Sequence, residues 1–139
     1  MRKRGDGFTL VELLLVIIII GILAAMVLPR LSGRSEQARV AAARADIEGN
    51  IALALDIYEL DNGNYPTTEQ GLGALLNEPE TVPLPIKWNG PYLKKKAIDP
   101  WGRQYLYECP GTHNKTYYDL SSYGPDGIEG DDDVKNWED

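Results

Sequence analysis

From Leu13 to Leu28 the chain runs sixteen residues without a charge, and counted from Phe8 the run is 21 residues with one carboxylate, Glu12. No other feature limits the fold so strongly. As a helix rising about 1.5 Å per residue, such a run spans about 31 Å, the thickness of a bilayer's hydrocarbon core. The apolar core of a cleaved secretory signal is shorter, roughly 7–15 residues, and ends at a small-residue cleavage site. No Ala-x-Ala site follows the end of this run. The pattern predicts a membrane-spanning helix over 8–28. Arg2, Lys3 and Arg4 precede it, opposed only by Asp6, while Arg30 and Arg34 follow it. The more cationic flank stays in the cytoplasm, so residues 29–139 are expected outside, which in a Gram-negative cell is the periplasm.

The remaining composition excludes several classes. Lys plus Arg is 14 against 21 Asp plus Glu, a net charge of −7, which is too acidic for a general nucleic-acid binder. A single cysteine, Cys109, makes no internal disulfide, and a single histidine, His113, builds no His-rich zinc site. At 139 residues the chain holds one domain beyond the span.

Past the span the helical pattern continues to about Leu60. Ile47, Ile51, Leu55 and Tyr58 recur at spacings of four, four and three. Pro29 is expected to kink or interrupt this long helix, and Asp61-Asn62-Gly63-Asn64 to stop it. A short helix is expected near Glu69–Leu76, and a proline-rich wrapped loop over Val82–Pro91. Gln104–Cys109 and Thr116–Ser121 read as an antiparallel hairpin, with a short third strand near Val134. The fold class is α+β: a lollipop with a long N-terminal helix, membrane-spanning in its first half, packed on a small C-terminal antiparallel sheet with an acidic loop. Along the stem, Arg30, Arg34, Arg39 and Arg44 face one acid, Glu36, and five acids from Asp46 to Asp61 follow with no base. Staggered copies could set one basic half against another's acidic half.

Glu12 is the most informative residue. A carboxylate inside a membrane helix costs about 2.5–3.5 kcal/mol on insertion scales. Near the cytoplasmic end it could also reach the headgroups. Its context is Arg4-Gly5-Asp6-Gly7-Phe8-Thr9-Leu10-Val11-Glu12. Gly7-Phe8-Thr9-Leu10-Val11-Glu12 resembles the prepilin cleavage motif of type IV pilins and type II secretion pseudopilins. The resemblance implies a leader over 1–7, cleavage after Gly7 by a prepilin peptidase, N-methylation at Phe8 and an assembly role for Glu12. In a filament, Glu12 of one subunit would meet the Phe8 amine of a neighbour, because a charge in low dielectric needs a partner. Gly21 and Ala25 add a small-xxx-small pair that permits close helix approach.

The resemblance continues through Tyr65-Pro66-Thr67-Thr68-Glu69-Gln70-Gly71-Leu72, Trp88-Asn89-Gly90-Pro91-Tyr92-Leu93, Asp99-Pro100-Trp101-Gly102 and Tyr123-Gly124-Pro125-Asp126-Gly127. Together these are similar to the major pseudopilins of the type II secretion system, in the type IV pilin-like superfamily. Read for chemistry, Trp88 and Trp101 are core anchors, and the Tyr-Pro and Asp-Pro pairs start turns. The segment Asp119–Asp139 holds eight acids and one lysine. It is either a solvated acidic tail or a loop closed by a cation. Its Tyr123, Val134 and Trp137 want burial, and calcium takes six to eight oxygens in irregular geometry. The resemblance implies a structural calcium in this loop. Asp126 and Asp132 are the first ligands carried over, Asp131 and Asp133 the alternates, and the carbonyls of Tyr123 and Val134 the backbone donors.

No enzyme framework is legible. His113 lies in an expected turn, Cys109 in an expected strand, and no phosphate-cradling glycine loop is present. The expectation is therefore a structural subunit with leader 1–7, span 8–28 and periplasmic domain 29–139. It would be held in the inner membrane by lipid and then polymerised into a periplasmic fibre that helps export folded proteins across the outer membrane. The implied partners are copies of itself, minor pseudopilins, the prepilin peptidase and the inner-membrane assembly platform, with no nucleic acid. A general type IV pilin-like subunit and an uncleaved, signal-anchored periplasmic binding module are the alternatives.

Overall fold

The computed structural model describes residues 7–138, with side chains described over 7–26 and 33–138. The expectations placed on Arg2, Lys3, Arg4 and Asp6, on the side chains of Pro29 and Arg30, and on Asp139 lie outside the described residues. The chain divides into two compact units, Met1–Gln37 and Ala38–Asp139.

Helix α1 spans Leu10–Ala45 as one α-helix with Pro29 inside it, so the interruption expected at Pro29 is not found in the helix bounds. In the first unit every described side chain from Phe8 to Met26 is exposed. Among the described residues no helix is long and apolar enough to cross a membrane. The apolar run itself extends to Leu28, two positions past the last side chain described in that stretch.

The second unit carries the core. The end of α1, a π-helical turn at Asp46–Asn50 and helix α2 (Ile51–Asn62) follow one another without a loop. The uninterrupted α-helix expected here is thus broken by one wide turn. The physical reason lies in the spacing of the core residues. Ala43, Ile47, Ile51 and Leu55 are four apart, and all are at most 2% exposed. In a pure α-helix such a row drifts off one face. An i→i+5 turn is wider and brings residues four apart back into line. Helix α2 runs to Asn62, and Gly63 ends it in the left-handed conformation with φ of 80°, its N–H donating to the Glu59 carbonyl at 2.6 Å.

The expected short helix is a 3₁₀ turn, Gly71–Leu75. Thr67 and Gln70 form a reciprocal box before it. Thr67 N–H donates to Gln70 Oε1 at 3.0 Å, and Gln70 N–H to Thr67 Oγ1 at 3.3 Å. The Gln70 amide then reaches across to the carbonyls of Thr81 and Pro83, which ties down the proline-rich loop. Three antiparallel strands follow in order β1 (Leu106–Glu108), β2 (Asp119–Ser122) and β3 (Val134–Lys135). Tyr107 faces Leu120, and Ser122 faces Val134. The hairpin and third strand match expectation. The strands are shorter than the segments read from sequence, and β2 runs to Ser122, one residue past the expected end at Ser121.

Leu120 on β2 packs in one cluster with Ile47, Leu55, Tyr58, Leu75 and Tyr118. Trp88 and Trp101 pack at its edge, as core anchors should, and the Trp88 indole N–H donates to the Ala74 carbonyl at 3.0 Å.

Candidate functional site

Two segments carry the candidate chemistry, the N-terminal motif and the acidic loop. Gly7 and Phe8 precede the helix in an open stretch. Phe8 is 88% exposed, and nothing lies within 4 Å of where a Cβ on Gly7 would sit. Glu12 has a partner that the charge argument missed. Its Oε2 accepts from the Thr9 N–H at 2.9 Å and from Thr9 Oγ1 at 3.1 Å, while its own N–H donates to Thr9 Oγ1 at 3.2 Å. This is a capping box, and it satisfies backbone donors that a helix start leaves orphaned. The sequence signal was present as Thr9-Leu10-Val11-Glu12.

The acidic loop closes on itself at glycines. Gly124 and Gly127 have φ of 61° and 75°. A Cβ on Gly124 would meet the Asp132 carbonyl, and Asp132 Oδ2 lies 3.4 Å from the same point. Asp132 Oδ1 is also 3.4 Å from the Cβ position of Gly130. Asp126 Oδ1 accepts the Ile128 N–H at 2.9 Å in a turn. Asp133 Oδ1 is buried without a hydrogen-bond partner. Asp131 is exposed, Tyr123 is half-buried, and Val134 is buried in β3. Among the described residues no three or more carboxylate, imidazole or thiol groups gather as a ready metal cluster. The donors present are all oxygen, and one buried carboxylate oxygen is orphaned. That chemistry fits a hard cation held by one or two carboxylates and completed by backbone carbonyls.

Arg103 enters the same loop and was missed at sequence level. Its guanidinium donates to the Gly124 carbonyl and occupies the place a Cβ on Gly127 would take. Asp99 fixes it from behind. Asp99 Oδ1 accepts the N–H groups of Trp101 (3.0 Å) and Arg103 (2.8 Å), and Asp99 Oδ2 accepts Ser122 Oγ at 2.6 Å and lies 3.6 Å from Arg103 Nε. The Asp99-Pro100-Trp101-Gly102 motif is thus a turn whose carboxylate ties the turn to β2.

His113 has a partner as well. Its Nδ1 lies 3.0 Å from Asp119 Oδ2, and its ring stacks on Trp137 with centroids 4.3 Å apart. Burial pushes the Asp119 carboxyl up. The N–H groups of His113 and Asn114 and the imidazole outweigh that and hold it below the usual aspartate range. The pair lines a 750 Å³ cavity, in which no serine, threonine or cysteine stands among the described residues, and it ties loop to strand. On the helix, Asp46 accepts from Tyr105 and Asp56 from Tyr65 within the chain, so those two acids serve the domain first.

Comparison with known proteins fits this architecture. The family model described as type II secretion system (T2SS), protein G matches residues 30–137, and that of the prokaryotic N-terminal methylation motif matches residues 2–28. The chain is 49% identical to the type II secretion system core protein G of Pseudomonas aeruginosa over 99% of this chain and 98% of that one. It is 48% identical to the protein of that name from Escherichia coli K12, over 96% and 92%. The crystal structure of the major pseudopilin from the type 2 secretion system of enterohaemorrhagic Escherichia coli superposes with a TM-score of 0.68 at 38% identity, covering 77% of this chain and 89% of that one. With the methylation motif at its start and the protein G pattern over nearly all the rest, the chain belongs to the type II secretion system protein G family.

Proposed function

We propose that this chain is a structural subunit of the type II secretion pseudopilus, and that it catalyses no reaction. The observation that carries the proposal is the helix from Leu10 to Met26, whose aliphatic side chains all lie exposed, 47–75% for the large ones. A helix apolar all round is stable only in lipid or against other helices. Both environments fit a subunit that waits in the inner membrane and then polymerises. The leader 1–7 would be cut after Gly7 and the new terminus methylated at Phe8. Residues 8–28 would form first the membrane anchor and then the filament core. Residues 29–139 would lie in the periplasm. Glu12 holds Thr9 in the single chain, and it is exposed, so it can exchange that partner for the Phe8 amine of a neighbouring copy. Minor pseudopilins, the prepilin peptidase and the inner-membrane platform are the partners this role requires.

In this reading calcium completes the acidic loop. Asp126 and Asp132 would hold it, with Asp131 or Asp133 and the carbonyls of Tyr123 and Val134. Bound there, the ion would tie the loop to β3 without taking part in any reaction.

The test is to produce the chain with a prepilin peptidase and the assembly platform, then weigh the product and look for fibres. The expected product lacks residues 1–7, carries one added methyl on Phe8 and forms shearable fibres. Glu12→Gln should be cut yet lose fibres about tenfold or more, since a neutral amide cannot hold the amine's charge. An uncut, monomeric chain would instead support the signal-anchored module.

A further inference from the structure

Helix α2 buries one side and leaves the other bare. Ile51, Leu55 and Tyr58 are at most 2% exposed. Leu53, Ile57 and Leu60, spaced four and three, form a stripe on the outer side and are 62%, 41% and 83% exposed. An aliphatic stripe on a helix outside the membrane is stable only when something covers it. The charges beside it indicate what does. Asp46 accepts from Tyr105 and Asn50, Asp56 from Tyr65, and Asp61 from Tyr92. Glu59, exposed next to Leu60, shares the neutral Tyr65 hydroxyl with Asp56, and no ion pair joins it to a cation among the described residues.

The same chain carries a matching surface at the end of α1. Ala38, Ala41 and Ala45 are exposed on the side away from buried Ala43. Their small side chains leave grooves that a neighbouring helix's leucines can enter. Arg44 stands beside them, exposed and in no ion pair, although Glu48 follows four positions on. Arg44 and Glu59 are fifteen positions apart on helical turns that follow one another without a loop. That is about 22 Å, too far to pair within one chain.

We infer that the Leu53–Ile57–Leu60 stripe is an interface with a second copy of this chain, which covers it with residues 38–45 and sets its Arg44 against Glu59. The inference rests on the pseudopilus reading above and names surfaces by which the copies meet outside the membrane. Stripe and cover lie on different parts of one chain, so each copy offers one to each neighbour and the contact repeats without closing. The stripe supplies the burial, and the charge pair sets the register.

The experiment is to produce the full chain with a prepilin peptidase and the assembly platform, measure sheared fibres, and melt each variant in detergent micelles. The combined Leu53→Ala, Ile57→Ala and Leu60→Ala chain should melt as the wild type does yet lose fibres about tenfold or more. Glu59→Arg and Arg44→Glu should each lose fibres, and the two together should restore most of them. Full fibre yield in the alanine variant overturns the inference. So does a charge swap that restores nothing, since the cover is then another surface or another protein. If the alanine variant melts early, the charge swap decides. A wild type without fibres overturns the pseudopilus reading and this inference with it, whereas fibres in the wild type and in every variant overturn this inference alone.

Discussion

Asp119 shows how a single carboxylate can set the acid limit of this domain. In the folded chain it accepts from two backbone N–H groups and from the His113 ring, and its carboxyl titrates below the usual value despite burial. A group whose folded pKa is depressed contributes stability above its unfolded value, about 3.9, and loses that contribution as pH falls through the lower folded value. Thermal melts should therefore show a stability loss setting in below about pH 4 that Asp119→Asn flattens. An acid limb identical in both chains would remove Asp119 from that account. The pair was not legible beforehand, because five residues lie between the two and nothing local in the sequence joins them. Glu12 differs. Its capping partner was written three residues upstream, but the weight of a charge inside a 21-residue apolar run drew the argument toward an intermolecular partner and past the local one.

At the scale of elements, helix α2 has two apolar faces with different roles. Leu55 is fully buried among Ile51, Tyr58 and Leu120, while Leu60 is 83% exposed. Leu55→Ala should cost the domain about 2–5 kcal/mol in denaturant unfolding, the range for a buried leucine. Leu60→Ala should stay within about 0.5 kcal/mol, as substitutions of exposed side chains do. A comparable loss at both positions would mean that Leu60 is buried in the form measured. The buried face was readable in advance because a helix writes its core at regular spacing, and the four residues expected on it are all buried. The π-helical turn was not readable, since the same row of fours fits a drifting α-helix. Strand β2 was read only roughly for another reason. All four of its residues are buried, three of them polar, so it has no alternation to follow. Its polar groups are satisfied by Asp99, His113, Asn114 and Asn136, which come from other parts of the chain.

For the whole molecule the consequential feature is the charge of its C-terminal segment, where the net charge of Asp119–Asp139 equals that of the entire chain. A cation bound only by the folded state stabilises by about 2.7 kcal/mol at a hundred times its dissociation constant. For a chain of this length that is a rise of several degrees in Tm. Two features shape the expected result. Arg103 already ties the loop at the Gly124 carbonyl, so the calcium-free chain should melt as one cooperative unit rather than shed its tail first. The loop's oxygen donors and irregular path suit calcium, while magnesium demands a near-octahedral shell and dehydrates reluctantly. The full chain in detergent micelles should therefore gain several degrees in calcium and little in magnesium, and Asp132→Ala should lose most of the gain while the apolar helix still inserts. If Asp132→Ala keeps the full gain, Asp132 leaves the ligand set and the orphaned oxygen of Asp133 becomes the first alternative to test. If the wild type gains nothing, the loop is held by Arg103 and its glycines alone. The family's filament role then stands on the N-terminal helix and the methylation motif.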